Sequence, residues 1–109
     1  MNSRVYLLLA FTWTISIFAA SSMPGSAVGL PSPWDKLAHA LTYAVLAWLL
    51  RKGGLSPFGA ITLSVLYGLS DEWHQSLVPG RQPDIADLLA DAGGALLGGL
   101  LAAADITKP

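Results

Sequence analysis

The stretch YGLSDEWHQSLVPGRQPDIADLLADAGG (residues 67–94) interrupts an otherwise apolar chain with a dense run of ionisable side chains. Pro79-Gly80 and Pro83 in its middle break helices, so the pattern predicts the end of one helix, a short loop and the start of the next. The charges therefore gather where two antiparallel helices meet. The ionisable residues are Asp71, Glu72, His74, Arg81, Asp84, Asp87 and Asp91.

The composition of the whole chain indicates a membrane protein. Of the 109 residues, 53% are hydrophobic and 12% are charged, with a mean hydropathy of +0.54. Soluble domains carry about 25% charged residues. The length predicts one domain covering residues 1–109. The net charge of −1 excludes the basic surface of a nucleic-acid-binding protein, and the absence of cysteine excludes disulfide frameworks and thiolate chemistry.

Four apolar segments are long enough to be helices that cross a bilayer, which takes about 20 residues each. They span residues 5–23, 33–50, 57–78 and 84–104. Helix signals mark their ends: Ser32-Pro33 and Ser56-Pro57 at the starts, Gly53-Gly54 after the second, and a capping box between Asp84 and Asp87. The sequence therefore predicts an all-α, integral membrane four-helix bundle.

The positive charges favour one orientation of this bundle. Lys and Arg accumulate in cytoplasmic loops, and Arg4, Arg51, Lys52 and Lys108 fall at one end of the helices. We expect a multi-pass protein of the inner (cytoplasmic) membrane with both termini in the cytoplasm. The first segment is expected to be a retained helix, with a cleaved signal peptide as the alternative.

The polar residues lie at the same end of the predicted bundle, at a similar depth from the helix ends, and on one face of each helix. With 5.4 Å per helical turn, His39, Asp71 and Asp91 each lie roughly 10 Å inside the outer helix ends. Residues at spacings of three and four share a helix face, and a charge facing lipid is costly. We therefore predict one outward-facing polar pocket, formed by Asp35, Lys36, His39, Tyr43, Asp71, Glu72, Gln75, Arg81, Asp84, Asp87 and Asp91.

The ordered set of these motifs resembles the VanZ-like family of small integral membrane proteins. The resemblance rests on DKLAHALTY (35–43), DEWHQ (71–75) and VPGRQPDIADLLADAGG (78–94), and it covers roughly residues 35–99. It implies a four-helix membrane protein active at the cell envelope, since the namesake is associated with resistance to the lipid-tailed glycopeptide teicoplanin. Asp91 departs from the family pattern, which usually has an amide there.

Three functional interpretations remain open at this stage. In the first, the pocket binds an anionic or lipid-linked envelope component, with Arg81 and Lys36 as anion contacts. In the second, it is the site of an intramembrane hydrolase or transferase, with Glu72, His39 or Asp87 as the acid or base. In the third, it is a structural salt-bridge network. Arg81 could equally clamp its loop, and Lys36 could extend toward water. Whether the chain is an enzyme is left open.

Expected partners follow from the same residues. The chain should contact membrane lipids and no nucleic acid. The motifs call for no cofactor, and no tight metal-ligand signature occurs, so no metal site is predicted. The small residues around Gly94 and Gly98 indicate close helix packing, either inside the bundle or between the two copies of a homodimer.

Overall fold

The computed structural model describes residues 2–23, 33–80 and 84–106, with side chains as far as residue 102. Within these ranges the chain forms four α-helices and no strand: α1 (Ser3–Ser21), α2 (Trp34–Lys52), α3 (Pro57–Gln75) and α4 (Ile85–Ile106). The predicted all-α, four-helix architecture is confirmed. The predicted third segment ran to residue 78, but α3 ends three residues earlier, because Val78 precedes Pro79 and that position disfavours helical backbone.

The helix ends follow from local chemistry. The Ser56 hydroxyl accepts a hydrogen bond from the Gly59 N–H at 3.0 Å and starts α3. Gly54 follows α2 with a φ of +112°, a conformation that glycine adopts without strain. Pro33 is the N-cap of α2 rather than its first helical residue, and its backbone carbonyl accepts the first bonds of the helix. The predicted cap Ser32 lies outside the described residues.

Helices α2 and α4 pack backbone to backbone. A Cβ atom added at Gly94 would overlap the carbonyl of Ala40, and one added at Gly98 would overlap the carbonyl of Ala44. Only glycine permits this approach, which is the packing typical of small-residue stripes. The Gly94/Gly98 face is thus occupied within the chain by α2. Association with a second copy stays a prediction, and it would need another face.

Helix α1 is attached to the others by two hydrogen bonds to backbone carbonyls. The indole N–H of Trp13 donates to the carbonyl of Thr42 on α2 at 2.9 Å. The hydroxyl of Tyr67 on α3 donates to the carbonyl of Thr14 at 2.6 Å. These bonds hold α1 beside both helices at mid-length.

The bundle is apolar outside and polar inside at one end. Large apolar side chains are exposed on every helix, among them Leu8, Leu41, Phe58 and Leu89. Several ionisable and amide side chains are buried instead, namely Asp71, Glu72, Gln75, Asp87 and Asp91. By length and apolar composition, two stretches qualify as membrane spans, Ser3–Ser21 and Ile85–Ala102. Helices α2 and α3 do not pass that test, and these are the helices that carry Lys36 and Glu72.

Candidate functional site

Lys36 in the first turn of α2 connects that helix to the start of α4. Its Nζ lies 2.9 Å from Asp35 Oδ2, 2.9 Å from Asp84 Oδ2 and 2.6 Å from Asp87 Oδ1. An ammonium group has three N–H donors, and each is used by a carboxylate of the chain. Asp84 precedes α4, and the hydrogen bond from Lys36 holds its carboxyl pKa below the ordinary value. Lys36 is therefore a clamp within the protein and not a free contact for a ligand anion.

His39 lies one turn deeper between two carboxylates of α4. Its Nδ1 lies 2.7 Å from Asp91 Oδ1, and its Nε2 lies 3.7 Å from Asp87 Oδ2. Asp91 is fully buried, and its second oxygen has no hydrogen-bond partner among the described residues. The pair fixes the orientation of the imidazole ring, because the inner nitrogen is held by a carboxylate that cannot reach water.

Glu72 at the end of α3 caps α4 from outside that helix. Its Oε2 accepts a hydrogen bond of 2.9 Å from the backbone N–H of Asp84. The predicted capping box, in which Asp87 would accept from the Asp84 N–H, is therefore wrong. Glu72 accepts from that N–H, and the Asp87 carboxylate pairs with Lys36 instead. Asp84 itself accepts from the Ala86 N–H at 2.9 Å, which is the ordinary capping bond.

A polar cavity of about 270 Å³ lies beside these contacts, between α1, α2 and α3, and Asp87 of α4 also lines it. Asp71 and Gln75 line it from α3, one turn apart, and Tyr43 lines it from α2. The Tyr43 hydroxyl donates to Asp71 Oδ2 at 3.4 Å, which is long for an O–H···O hydrogen bond. The full lining is Ile17, Ala20, Ser21, Asp35, Ala38, His39, Thr42, Tyr43, Asp71, Gln75 and Asp87.

The structure divides the predicted pocket residues into two groups. Six of them line the cavity: Asp35, His39, Tyr43, Asp71, Gln75 and Asp87. Four hold the helices together beside it: Lys36, Glu72, Asp84 and Asp91. Arg81 lies outside the described residues.

Sequence reasoning missed the contribution of α1 to the cavity. Ile17, Ala20 and Ser21 line it, although Arg4 in the first turn is the only charged residue of α1. The signal in the sequence was the run of small residues AASS (19–22) at the end of an apolar helix, which leaves room beside it.

A second cavity of about 470 Å³ lies between the same three helices, nearer the α1 N-terminus. Its lining is apolar apart from Thr14 and Tyr67, and includes Leu7, Leu46 and Leu63. Tyr67 and its hydrogen bond to Thr14 lie at this cavity, while the neighbouring Tyr43 ring, 6.4 Å away by centroid, lies at the polar one. Polar and apolar spaces thus occupy successive levels of one cleft.

Within the described ranges, no three His, Cys, Asp or Glu side chains are grouped so that they could hold a metal ion. The described carboxylates are mostly engaged with Lys36, His39 and the start of α4. What the arrangement offers a ligand is hydrogen-bond acceptors and negative charge in a partly enclosed space.

Fold and site together define a small all-α protein that buries an acidic, histidine-containing cluster under an apolar exterior. The model of the family described as VanZ/LLP1 matches residues 1–106, nearly the whole chain. The chain belongs to this family, as the motifs in residues 35–99 indicated. No curated protein and no solved structure matches it.

Proposed function

We propose that the chain is an integral protein of the cytoplasmic membrane, crossed by all four helices with both termini on the cytoplasmic side. The apolar exterior supports this, because a soluble protein rarely exposes so continuous an apolar surface. At the end of α2 opposite to Lys36, the Lys52 ammonium lies 5.6 Å from the Trp48 ring centroid and 5.7 Å from that of Tyr6. Aromatic and basic residues of this kind are enriched where helices leave a bilayer on the cytoplasmic side.

The proposed function is to bind the polar part of an amphiphilic envelope component in the polar cavity, open to the outer face. The observation that carries this proposal is the position of Asp71 and Gln75: both side chains are buried in the bundle and both line the cavity. In a lipid-embedded bundle, buried polar side chains are expensive, so a cavity lined by them favours a polar occupant. The apolar cavity at the next level suits the ligand's tail. Tolerance of lipid-tailed glycopeptides is the envelope role that the family suggests.

An intramembrane enzyme, a hydrolase or transferase on a lipid-linked or phosphate-bearing substrate, is the second candidate. It is favoured by the 2.7 Å contact of His39 with the buried Asp91, since a carboxylate commonly orients a catalytic imidazole. His39 also lines the cavity. In this version His39 transfers the proton, and Glu72 serves the fold.

Thiol labelling tests the binding proposal, because the chain has no cysteine of its own. Ala38→Cys places a thiol in the cavity lining, and Leu55→Cys places one in the loop between α2 and α3 at the other end. In intact Gram-positive host cells, a membrane-impermeant maleimide should label Ala38→Cys and leave Leu55→Cys unlabelled. Permeabilised cells should label both.

The same thiol reports occupancy. In nanodiscs, added envelope lipid extract should slow the labelling of Ala38→Cys relative to nanodiscs of phosphatidylglycerol alone. Labelling of Ala38→Cys only after permeabilisation would overturn the orientation. An unchanged labelling rate with the extract would overturn the binding function.

A further inference from the structure

The apolar cavity opens sideways, between α1 and α3. Its back wall on α2 is buried, with Leu46 only 1% exposed. The side chains at its front are exposed instead, Phe11 of α1 to 65% and Leu66 of α3 to 55%. The cavity is therefore a groove whose opening, here called the α1–α3 seam, lies between Leu7 and Phe11 on one side and Leu63 and Leu66 on the other.

The polar cavity is closed toward the same side. Ile17 and Ser21, which line it from α1, are buried, and so are Asp71 and Gln75, which line it from α3. One cleft between the same helices thus has a sheltered polar level and an apolar level that is open to the side.

Contacts between α1 and α3 mark the boundary between the two levels. The Tyr67 hydroxyl donates to the Thr14 carbonyl at 2.6 Å, one turn from the seam. Nearer the outer end, the His74 ring stacks on Phe18 with centroids 4.5 Å apart, and its Nε2 lies 2.9 Å from the Ser22 hydroxyl oxygen. The two helices are joined from Tyr67 outward, and the seam lies on the inner side of these contacts.

The volume of the apolar cavity suits one hydrocarbon chain. It measures about 470 Å³. A cavity of ~150 Å³ binds benzene, so on that scale the groove has room for roughly eighteen carbon atoms. Filling it adds dispersion contacts with an apolar lining, which favours an acyl chain as the occupant.

We propose that the tail of the bound amphiphile passes Tyr67 and enters the bilayer through the α1–α3 seam. The ligand is then a bilayer lipid that stays anchored by its tail while the polar cavity holds its head group, and it is not an amphiphile taken up from water. This inference rests on the proposed binding function, and it names the source of the ligand and the path of its tail.

Blocking the groove tests the proposal, with the labelling rate of Ala38→Cys in nanodiscs as the readout. The probe is the total lipid extract of the Gram-positive host, which should slow labelling several-fold relative to phosphatidylglycerol alone. Ala10 is buried and lines the groove, so Ala10→Phe in the Ala38→Cys background places a ring there and should remove most of this protection. Ala19→Phe makes the same change at an exposed position of α1 outside both linings and should keep the protection.

A second pair of variants blocks the seam from α3, so that the test does not depend on the folding of Ala10→Phe. Leu63→Trp enlarges a side chain at the edge of the groove and should also reduce the protection. Leu89→Trp is its control, because Leu89 is exposed on α4 and lies outside both linings. Thermal unfolding of each variant confirms that it is folded.

The source of the ligand is tested with the same extract after mild alkaline hydrolysis, which releases ester-linked tails. The water-soluble head groups, added at the same phosphate content, should give no protection, because the tail is required to hold the ligand in the groove.

The outcomes separate this inference from the function it rests on. Full protection in both Ala10→Phe and Leu63→Trp overturns the path of the tail and leaves the binding function in place. Protection by the released head groups overturns the bilayer source. Extract that does not slow the labelling of Ala38→Cys, with the groove unchanged, overturns the binding function itself.

Discussion

His39 Nδ1 and Asp91 Oδ1 lie 2.7 Å apart and join α2 to α4 at a carboxylate that has no exposed surface. The same carboxylate packs against Gly68 of α3, where an added Cβ atom would lie 3.2 Å from it. Three helices thus meet at one acidic side chain. This contact fixes the ring of His39 at the cavity, so the geometry of the site depends on it.

We predict that Asp91→Asn is tolerated and Asp91→Ala is not. The amide oxygen of asparagine can still accept from His39 Nδ1–H, so the free energy of unfolding should change by less than about 1 kcal/mol. Alanine leaves His39 without its partner and opens a gap against Gly68, which should lower the free energy of unfolding by about 3 kcal/mol. Unfolding in mixed micelles measures both, and equal losses for the two variants would contradict the assignment.

Lys36→Met should destabilise the bundle at neutral pH. The substitution leaves Asp35, Asp84 and Asp87 close together without their shared cation. We expect the free energy of unfolding to fall by about 2 kcal/mol. This is less than the loss for a fully buried ion pair, because the Lys36 side chain is 27% exposed. Lys52→Met removes a lysine from the other end of α2 and is the control. A loss no larger than that of the control would show that the clamp contributes nothing.

The pH dependence of stability should change sign with Lys36→Met. In the wild type, the hydrogen bond from Lys36 lowers the pKa of Asp84 below 3.8, so its stabilising contribution is complete above about pH 4 and is lost as the pH falls through the folded-state pKa. In Lys36→Met, protonation relieves the repulsion among the three carboxylates, so acid should stabilise the variant. Thermal unfolding between pH 3 and pH 7 measures the two slopes, and parallel slopes would contradict the prediction.

The sequence was sufficient to predict the four helices and the gathering of charge at one end, because apolar segment length and cap residues are local signals. Side-chain partners were harder, since they depend on helix rotation and on competition between acceptors. Glu72 accepts the hydrogen bond from the Asp84 N–H that the local pattern assigned to Asp87. Lys36 pairs with three carboxylates, one of them that of Asp87. The sequence predicted the part of the cavity that is lined by charged residues. It did not predict the uncharged part that α1 lines at Ser21.

Drug tolerance should depend on Asp71 and not on Glu72 if the cavity binds and does not catalyse. Glu72→Gln keeps an acceptor for the Asp84 N–H and lies outside the cavity lining, whereas Asp71→Asn changes the lining itself. With matched membrane levels in a Gram-positive host, wild type and Glu72→Gln should raise the inhibitory concentration of teicoplanin more than that of vancomycin, and Asp71→Asn should not. Tolerance that persists in Asp71→Asn, or that is lost in Glu72→Gln with a normal fold, would contradict the prediction.

Gly98→Ala should weaken the α2–α4 contact, and Gly93→Ala should not. The new methyl group at residue 98 meets the Ala44 carbonyl, so we expect a loss of about 1–3 kcal/mol from overpacking. Nothing lies within 4 Å of a Cβ atom at Gly93, where alanine should stabilise the helix by about 0.5–1 kcal/mol. Unfolding in micelles measures stability, and size-exclusion chromatography with light scattering measures assembly. Unchanged stability of Gly98→Ala with altered assembly would place this face between two copies instead.

Ser64→Ala should stabilise the protein. The Ser64 hydroxyl is fully buried in the middle of α3, and no group in the described part of the chain hydrogen-bonds it. An unpaired buried hydroxyl costs about 1–3 kcal/mol. Ser70→Ala on the same helix is the control, because its exposed hydroxyl bonds the Tyr67 carbonyl at 2.7 Å and it shares the change in helix propensity. We expect the free energy of unfolding of Ser64→Ala to be about 1 kcal/mol higher than that of Ser70→Ala, because only Ser64→Ala removes an unpaired buried hydroxyl. A lower stability for Ser64→Ala than for Ser70→Ala would mean that the hydroxyl is paired in the membrane, by water or by a ligand that reaches the centre of the bundle.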